Sequence, residues 1–151
     1  MTTTVKTSIK EFIVQRLPEY QELALDIHDH PEVSNYEFYS ADALIAQLEK
    51  EGFTVEKEVA GHRTGFDARY QSGKPGPTLA FLAEYDALPG IGHACGHNLF
   101  GTYSVLAASA LQPYVDELGG EIRVYGTPGE EGGENGSAKG SFVREGFFED
   151  V

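Results

Sequence analysis

Ile9, Phe12, Ile13 and Leu17 recur every three to four residues, the spacing that lines one face of a helix. Pro18 interrupts, then Tyr20, Leu23, Ala24 and Ile27 resume the period, which predicts two helices or one kinked helix. The segment His28-Asp29-His30-Pro31-Glu32 ends it, because the residue before a proline leaves helical space easily. Ser40 is placed to cap a second helix with Leu44, Ile45 and Leu48 inward and Gly52 as its stop. The period then falls to two. Phe53, Val55 and Val59 share one face, and Phe66, Ala68 and Tyr70 share another. Residues 78–83 have no polar alternation, which predicts a strand buried on both faces. Asn98 is placed to cap a helix running through Tyr103, Leu106, Ala107 and Leu111 and broken by Gly119-Gly120. Ile122, Val124 and Gly126 carry the next strand, and a short helix around Ala138, Phe142 and Val143 stops near Gly146.

Strands alternating with helices predict an α/β fold: a mixed, mainly parallel sheet with helices on both faces. The 151 residues have the length of one domain and show no internal repeat, low-complexity tract or linker. The segment 145–151 reads as a helix end entering something further, since Phe147 and Phe148 need burial. Composition changes the picture little, but charge does. A net charge of −13 predicts a chain that repels nucleic acid and anionic membranes, so neither is expected as a partner. No apolar run approaches the ~18 residues of a membrane span, and the start lacks the apolar core of a secretory signal. A single cysteine cannot form an internal disulfide, which fits a cytoplasmic protein.

The chemistry is concentrated in two turns. The first runs from Glu84-Tyr85-Asp86-Ala87-Leu88-Pro89 into Gly92-His93-Ala94-Cys95-Gly96-His97, crowding thiol, imidazole and carboxylate into one glycine-rich stretch. Such a donor mixture points to a transition-metal site. The second is Gly129-Glu130-Glu131-Gly132-Gly133. Both turns follow strands, and in open α/β sheets ligands bind beyond the strands' carboxyl ends. If the two strands are neighbours, Cys95, His97 and Glu131 converge on one rim. Residues two apart do not share a helix face, so Cys95 and His97 both reach a metal only from a turn. Adjacent glutamates point apart, which lets one bind metal while the other takes a proton from water. Asp86 is suited to orienting a ligand histidine.

Plainer readings stand beside these. Cys95 would be inert next to a capping turn, Glu130-Glu131 a solvated loop, and Asp86 a turn former before Pro89. His28 and His30 read as helix-end residues and His62 as a loop residue. Cys95 could instead be a nucleophile with His93 or His97 as base, although adjacent carboxylates disfavour a thiolate unless a metal is there. The Gly90-x-Gly92 run lacks the Lys-Ser/Thr of a phosphate loop.

Residues 83–98 together with 126–133 resemble the amidohydrolase branch of the aminoacylase/carboxypeptidase zinc metallopeptidase family, which includes aminobenzoyl-glutamate hydrolase and N-acyl-amino-acid amidohydrolases. The segment His28-x-His30-Pro31-Glu32 and the helix after it also resemble the family's opening. The resemblance implies that Cys95, His97 and Glu131 are metal ligands, that Glu130 is the general base and that Asp86 serves catalysis from behind the ligands. It implies two divalent ions, zinc or manganese, and hydrolysis of an amide in an N-acyl amino acid, an aminobenzoyl-glutamate-like compound or a dipeptide. A homodimer is an open expectation for the complete enzyme. Many members carry aspartate at the positions of Glu84 and Asn98, departures that bear on substrate more than on chemistry. Family enzymes also continue with further ligand histidines, a lid or dimerisation domain and the rest of the catalytic sheet. Residues 1–151 are therefore expected to form the amino-terminal part of a zinc-peptidase-like catalytic domain, inactive by itself. A non-catalytic metal-binding module is the alternative.

Overall fold

Helix α1 (Thr2–Asp29) runs unbroken through Pro18. The computed structural model describes residues 2–151. Of the two openings predicted, one continuous helix forms, because Tyr20, Ala24 and Ile27 are buried beyond the proline, and that packing outweighs the lost backbone bond. Helix α2 (Phe38–Lys50) begins two residues before Ser40. Ser40 is not its cap. The carboxylate of Glu32 takes that place, accepting the N–H groups of Tyr39 and Ser40 at 2.9 Å each and the Ser40 hydroxyl at 2.9 Å. A carboxylate at this end also suits the helix dipole.

Strands β1 (Thr54–Lys57), β2 (Phe66–Gln71), β3 (Thr78–Ala83) and β4 (Glu121–Gly126) form one sheet in the order β1-β2-β4-β3. β1, β3 and β4 run in the same direction and only β2 opposes them. The register sets Ala83 beside Gly126, so β3 and β4 end together. Helix α3 (His97–Leu118) lies between them in the chain, and helix α4 (Ala138–Arg144) follows β4.

Alternation along the strands feeds two cores. Ala68, Ile122 and Val124 pack with Tyr20, Leu44, Leu48 and Val105 from α1, α2 and α3. Tyr125, with Ala80 and Leu82 beside it, faces the opposite side and packs with Ala138 and Phe142 of α4. The aromatic pair at the end of the chain finds its burial here, with Phe147 and Phe148 edge-on to Tyr125 at 5.7 and 5.3 Å.

β3 departs from the expectation of full burial. Phe81 packs toward the core under α1, α2 and α3, and Ala80 and Leu82 toward the α4 side, but only Ala83 is buried and Leu79 is 43% exposed. Among the described residues β3 pairs with β4 alone, so its other edge is open. Among the described residues no helix is long and apolar enough to cross a membrane.

Candidate metal centre

α3 starts two residues earlier than a cap at Asn98 predicts, at His97, with Gly96 ahead of it at φ 81°. That left-handed conformation costs other residues roughly 1–2 kcal/mol and glycine almost nothing. Asn98 is consequently inside the helix, where its side-chain amide donates to the Ala24 carbonyl at 3.0 Å and ties α3 to α1. The sharp entry sets His97 at the carboxyl end of β3, buried in the first turn.

The two ring nitrogens of His97 have different surroundings. Nδ1 donates to Oδ1 of Asp86 at 2.9 Å and to the Asp86 carbonyl at 3.1 Å. Nε2 faces three carboxylates: Glu84 Oε2 at 3.1 Å, Glu130 Oε2 at 3.6 Å and Glu131 Oε1 at 3.8 Å. The bond to Asp86, with the charges of Asp86 and Glu84, raises the His97 pKa to about 8. Burial pushes the Asp86 pKa up, but the hydrogen bonds from His97, the Glu131 N–H and the Ser34 hydroxyl outweigh it and hold Asp86 below the usual carboxylate range.

The two turns meet because β3 and β4 are neighbours. Thr127 N–H donates to the Ala83 carbonyl at 2.9 Å and prolongs the parallel pairing past the strand ends. The loop beyond then delivers Glu131, whose N–H donates to Asp86 Oδ2 at 2.9 Å. Asp86, His97, Glu130 and Glu131 are thus brought together. Cys95 lies at the margin, exposed, and the nearby Glu131 carboxylate raises its thiol pKa.

Glu84 was missed as a member of the site. One potential ligand atom from each of Glu84, His97 and Glu130 lies within 4.8 Å of the others. The available signal was its position two residues before Asp86, since residues two apart in an extended segment project to the same side. Lys139 of α4 was missed too, and its ammonium pairs with the other Glu84 oxygen. The His93 ring is buried, tilted against His28 at 6.4 Å, and makes no hydrogen bond to Cys95. The paired nucleophile and base of a cysteine hydrolase are not assembled from these two residues.

The donor set fits a divalent cation. Three carboxylates and one imidazole nitrogen face a rim where Lys139 is the cation paired with Glu84, with the Asp86 carboxylate behind the imidazole and the Cys95 thiol at the margin. Such a surplus of negative charge is stabilised by a bound cation. Beside the rim, Leu99, Phe100 and Tyr103 of α3 give an open groove an apolar wall.

No protein-family model matches the chain. It is 42% identical to one component of the p-aminobenzoyl-glutamate hydrolase of Escherichia coli (strain K12), over an alignment taking in 87% of this chain and 30% of that protein. A solved structure from methicillin-resistant Staphylococcus aureus superposes with a TM-score of 0.82 at 29% identity, over 96% of this chain and 40% of that one. A dinuclear metal-binding peptidase of the M20 family from Bacillus subtilis superposes with a TM-score of 0.76 at 26% identity, over 94% of this chain and 41% of that one. The chain spans about a third of the length of the curated relatives it matches. It belongs to the amidohydrolase branch of the aminoacylase/carboxypeptidase (M20) metallopeptidase family and corresponds to the amino-terminal part of its members.

Proposed function

We propose that the chain supplies half of the metal centre and the general base of an amidohydrolase that cleaves small amides: N-acyl amino acids, aminobenzoyl-glutamate-like compounds or dipeptides. Relatives named as a hydrolase of p-aminobenzoyl-glutamate, a dipeptidase and a deacetylase support that substrate class. The observation that carries the reading is the polarity of His97, with Nδ1 fixed by Asp86 and Nε2 turned to three carboxylates.

Cys95, His97 and Glu131 would hold zinc or manganese, with Glu84 as a further carboxylate at hand. When bound, the divalent ion supplies Lewis-acid activation of the amide carbonyl and of water. Asp86 keeps a proton on His97 Nδ1, so that Nε2 presents its lone pair to the ion. Glu130, the more exposed glutamate of the pair, accepts a proton from the attacking water. It then delivers that proton to the leaving nitrogen as the carbon–nitrogen bond breaks. A carboxylate and an amine leave. The apolar wall of α3 is placed to hold the non-polar part of the substrate. Remaining ligands would come from the portion of the relatives that this chain does not span. We infer that the complete enzyme is cytoplasmic and homodimeric, and that residues 1–151 alone turn over little substrate.

The test is calorimetric titration of the metal-free chain with Zn²⁺ and Mn²⁺, together with assays of the complete enzyme on N-acyl amino acids and aminobenzoyl-glutamate. Binding that a chelator reverses, with a matching fall in melting temperature, is the expected result. A chain that takes up neither ion, beside a complete enzyme indifferent to chelators, would remove the reading.

A further inference from the structure

The loop that carries Glu130 and Glu131 has little regular structure of its own. Five glycines fall between positions 126 and 136, and such a segment loses much backbone entropy when ordered. Its shape comes from the connector between α1 and α2. Glu37, completely buried, accepts the Gly129 N–H at 3.0 Å with one carboxylate oxygen and the Thr64 hydroxyl at 2.8 Å with the other. Asn35 donates from its side-chain amide to the carbonyls of Glu134 at 2.8 Å and Gly136 at 3.1 Å. Ser34 donates at 2.8 Å to the Asp86 oxygen that also receives the Glu131 N–H. The two segments lie so close that a Cβ on Gly129 would come 2.5 Å from the Asn35 amide nitrogen.

Asn35 is itself held by a directed chain of hydrogen bonds. Because its amide nitrogen is spent on two carbonyls, its oxygen accepts, and His62 Nδ1–H donates to it at 2.7 Å. His62 Nε2 then accepts from Ser141 Oγ at 3.0 Å, and Ser141 Oγ accepts from Arg144 at 3.0 Å. α4 is thereby linked through His62 to the connector.

We propose that Ser34, Asn35 and Glu37 are positioning residues that mould the acidic loop, so that Glu130 and Glu131 face Nε2 of His97, with His62 fixing the Asn35 amide. This rests on the metal-centre reading for its function. None of the three residues needs to touch an ion or a substrate. Glu37 acts as a pair of hydrogen-bond acceptors rather than as a charge.

The test uses three variants of the full chain. Glu37→Gln keeps an oxygen for the Gly129 N–H and an amide nitrogen for the Thr64 hydroxyl, whereas Glu37→Leu removes both. Asn35→Gly removes the amide while tolerating the left-handed backbone at φ 63°. Amide hydrogen exchange at Gly129 and Glu131 is read against Ile122 and Val124 in β4, and Co²⁺ is titrated by its visible spectrum. Expected are faster exchange in the loop with unchanged β4 in Glu37→Leu and Asn35→Gly, and Co²⁺ binding weaker by about ten- to a hundredfold. Glu37→Gln should match the parent in both. Should Glu37→Leu fail to fold, Asn35→Gly and Glu37→Gln decide the matter. Unchanged loop exchange overturns the proposal, as does equal acceleration in β4, or a Glu37→Gln that behaves like Asn35→Gly. Loosened loops with unaltered Co²⁺ affinity overturn the positioning role. A parent chain that binds no Co²⁺ removes the metal-centre reading and the positioning role with it, whatever hydrogen exchange shows of the loop.

Discussion

Oδ1 of Asp86 lies 2.9 Å from Nδ1 of His97 and settles which ring nitrogen is turned to the three glutamates. The second oxygen of Asp86 receives the Ser34 hydroxyl and the Glu131 N–H. One buried carboxylate therefore ties the exit of β3, the start of α3 and the loop after β4 into a single centre.

Three donors converge on Asp86, and an asparagine cannot accept all of them, because its amide nitrogen would meet a donor. Asp86→Asn is expected to weaken Zn²⁺ binding by about ten- to a hundredfold. Calorimetric titration of the variant checks it, and an unaltered affinity would refute the orienting role.

Glu130 and Glu131 should separate on mutation. In the complete enzyme Glu130→Gln is expected to retain its metal while kcat falls by about two to four orders of magnitude. Glu131→Gln should lose metal as well. Elemental analysis beside steady-state kinetics distinguishes them, and full activity in Glu130→Gln would end the base assignment.

The Cys95 thiol is exposed, yet Glu131 raises its pKa. Alkylation by iodoacetamide should be slow at neutral pH in the metal-free chain and faster in Glu131→Gln. Rapid alkylation of the parent chain would instead favour a nucleophilic cysteine.

Burial, with the nearby Arg144 charge, lowers the His62 pKa below its ordinary 6.5. The unfolded chain then binds that proton more readily than the folded one. His62 therefore lowers stability as pH falls below about 6.5 and contributes no such penalty above it. His97, raised to about 8, acts oppositely in the metal-free chain: its contribution is complete below 6.5 and lost as pH rises through 8. The melting temperature of His62→Gln minus that of the parent, followed between pH 7.5 and 5 (a range of roughly the His window), isolates the first effect. The difference should move in favour of the variant as pH falls, and a flat difference would contradict the assignment.

α3 presses on the β3 exit at Gly101, where an added Cβ would come 2.6 Å from the Glu84 carbonyl oxygen. Gly101→Ala should cost about 1–3 kcal/mol by overpacking, measured by denaturant unfolding. A neutral result would mean that the helix shifts away freely, and His97 with it.

Where the information was local, the sequence sufficed. The spans of β2 and β4, the break at Gly119-Gly120 and the short helix around Phe142 follow from period and breakers, because backbone preference there agrees with packing. The crowding of thiol, imidazole and carboxylate into two glycine-rich turns was likewise visible, and so was the likeness to a family. What depended on distant partners was not. Pro18 stays helical because buried neighbours beyond it outweigh its lost bond. Ser40 and Asn98 have the chemistry of caps, but once the helices are packed the Glu32 carboxylate reaches in to cap α2 and Gly96 stands at the cap position of α3. β3 reads as a fully buried strand, yet its place at the open edge leaves it half exposed. Glu84 joins the cluster only when β3 and β4 lie side by side, and Glu37 meets Gly129 across most of the chain. The sequence by itself determined which residue types could do the chemistry and in which turns they stand. The tertiary structure alone decided which of them meet, because strand order and hydrogen bonds between distant segments leave no periodic trace in the chain.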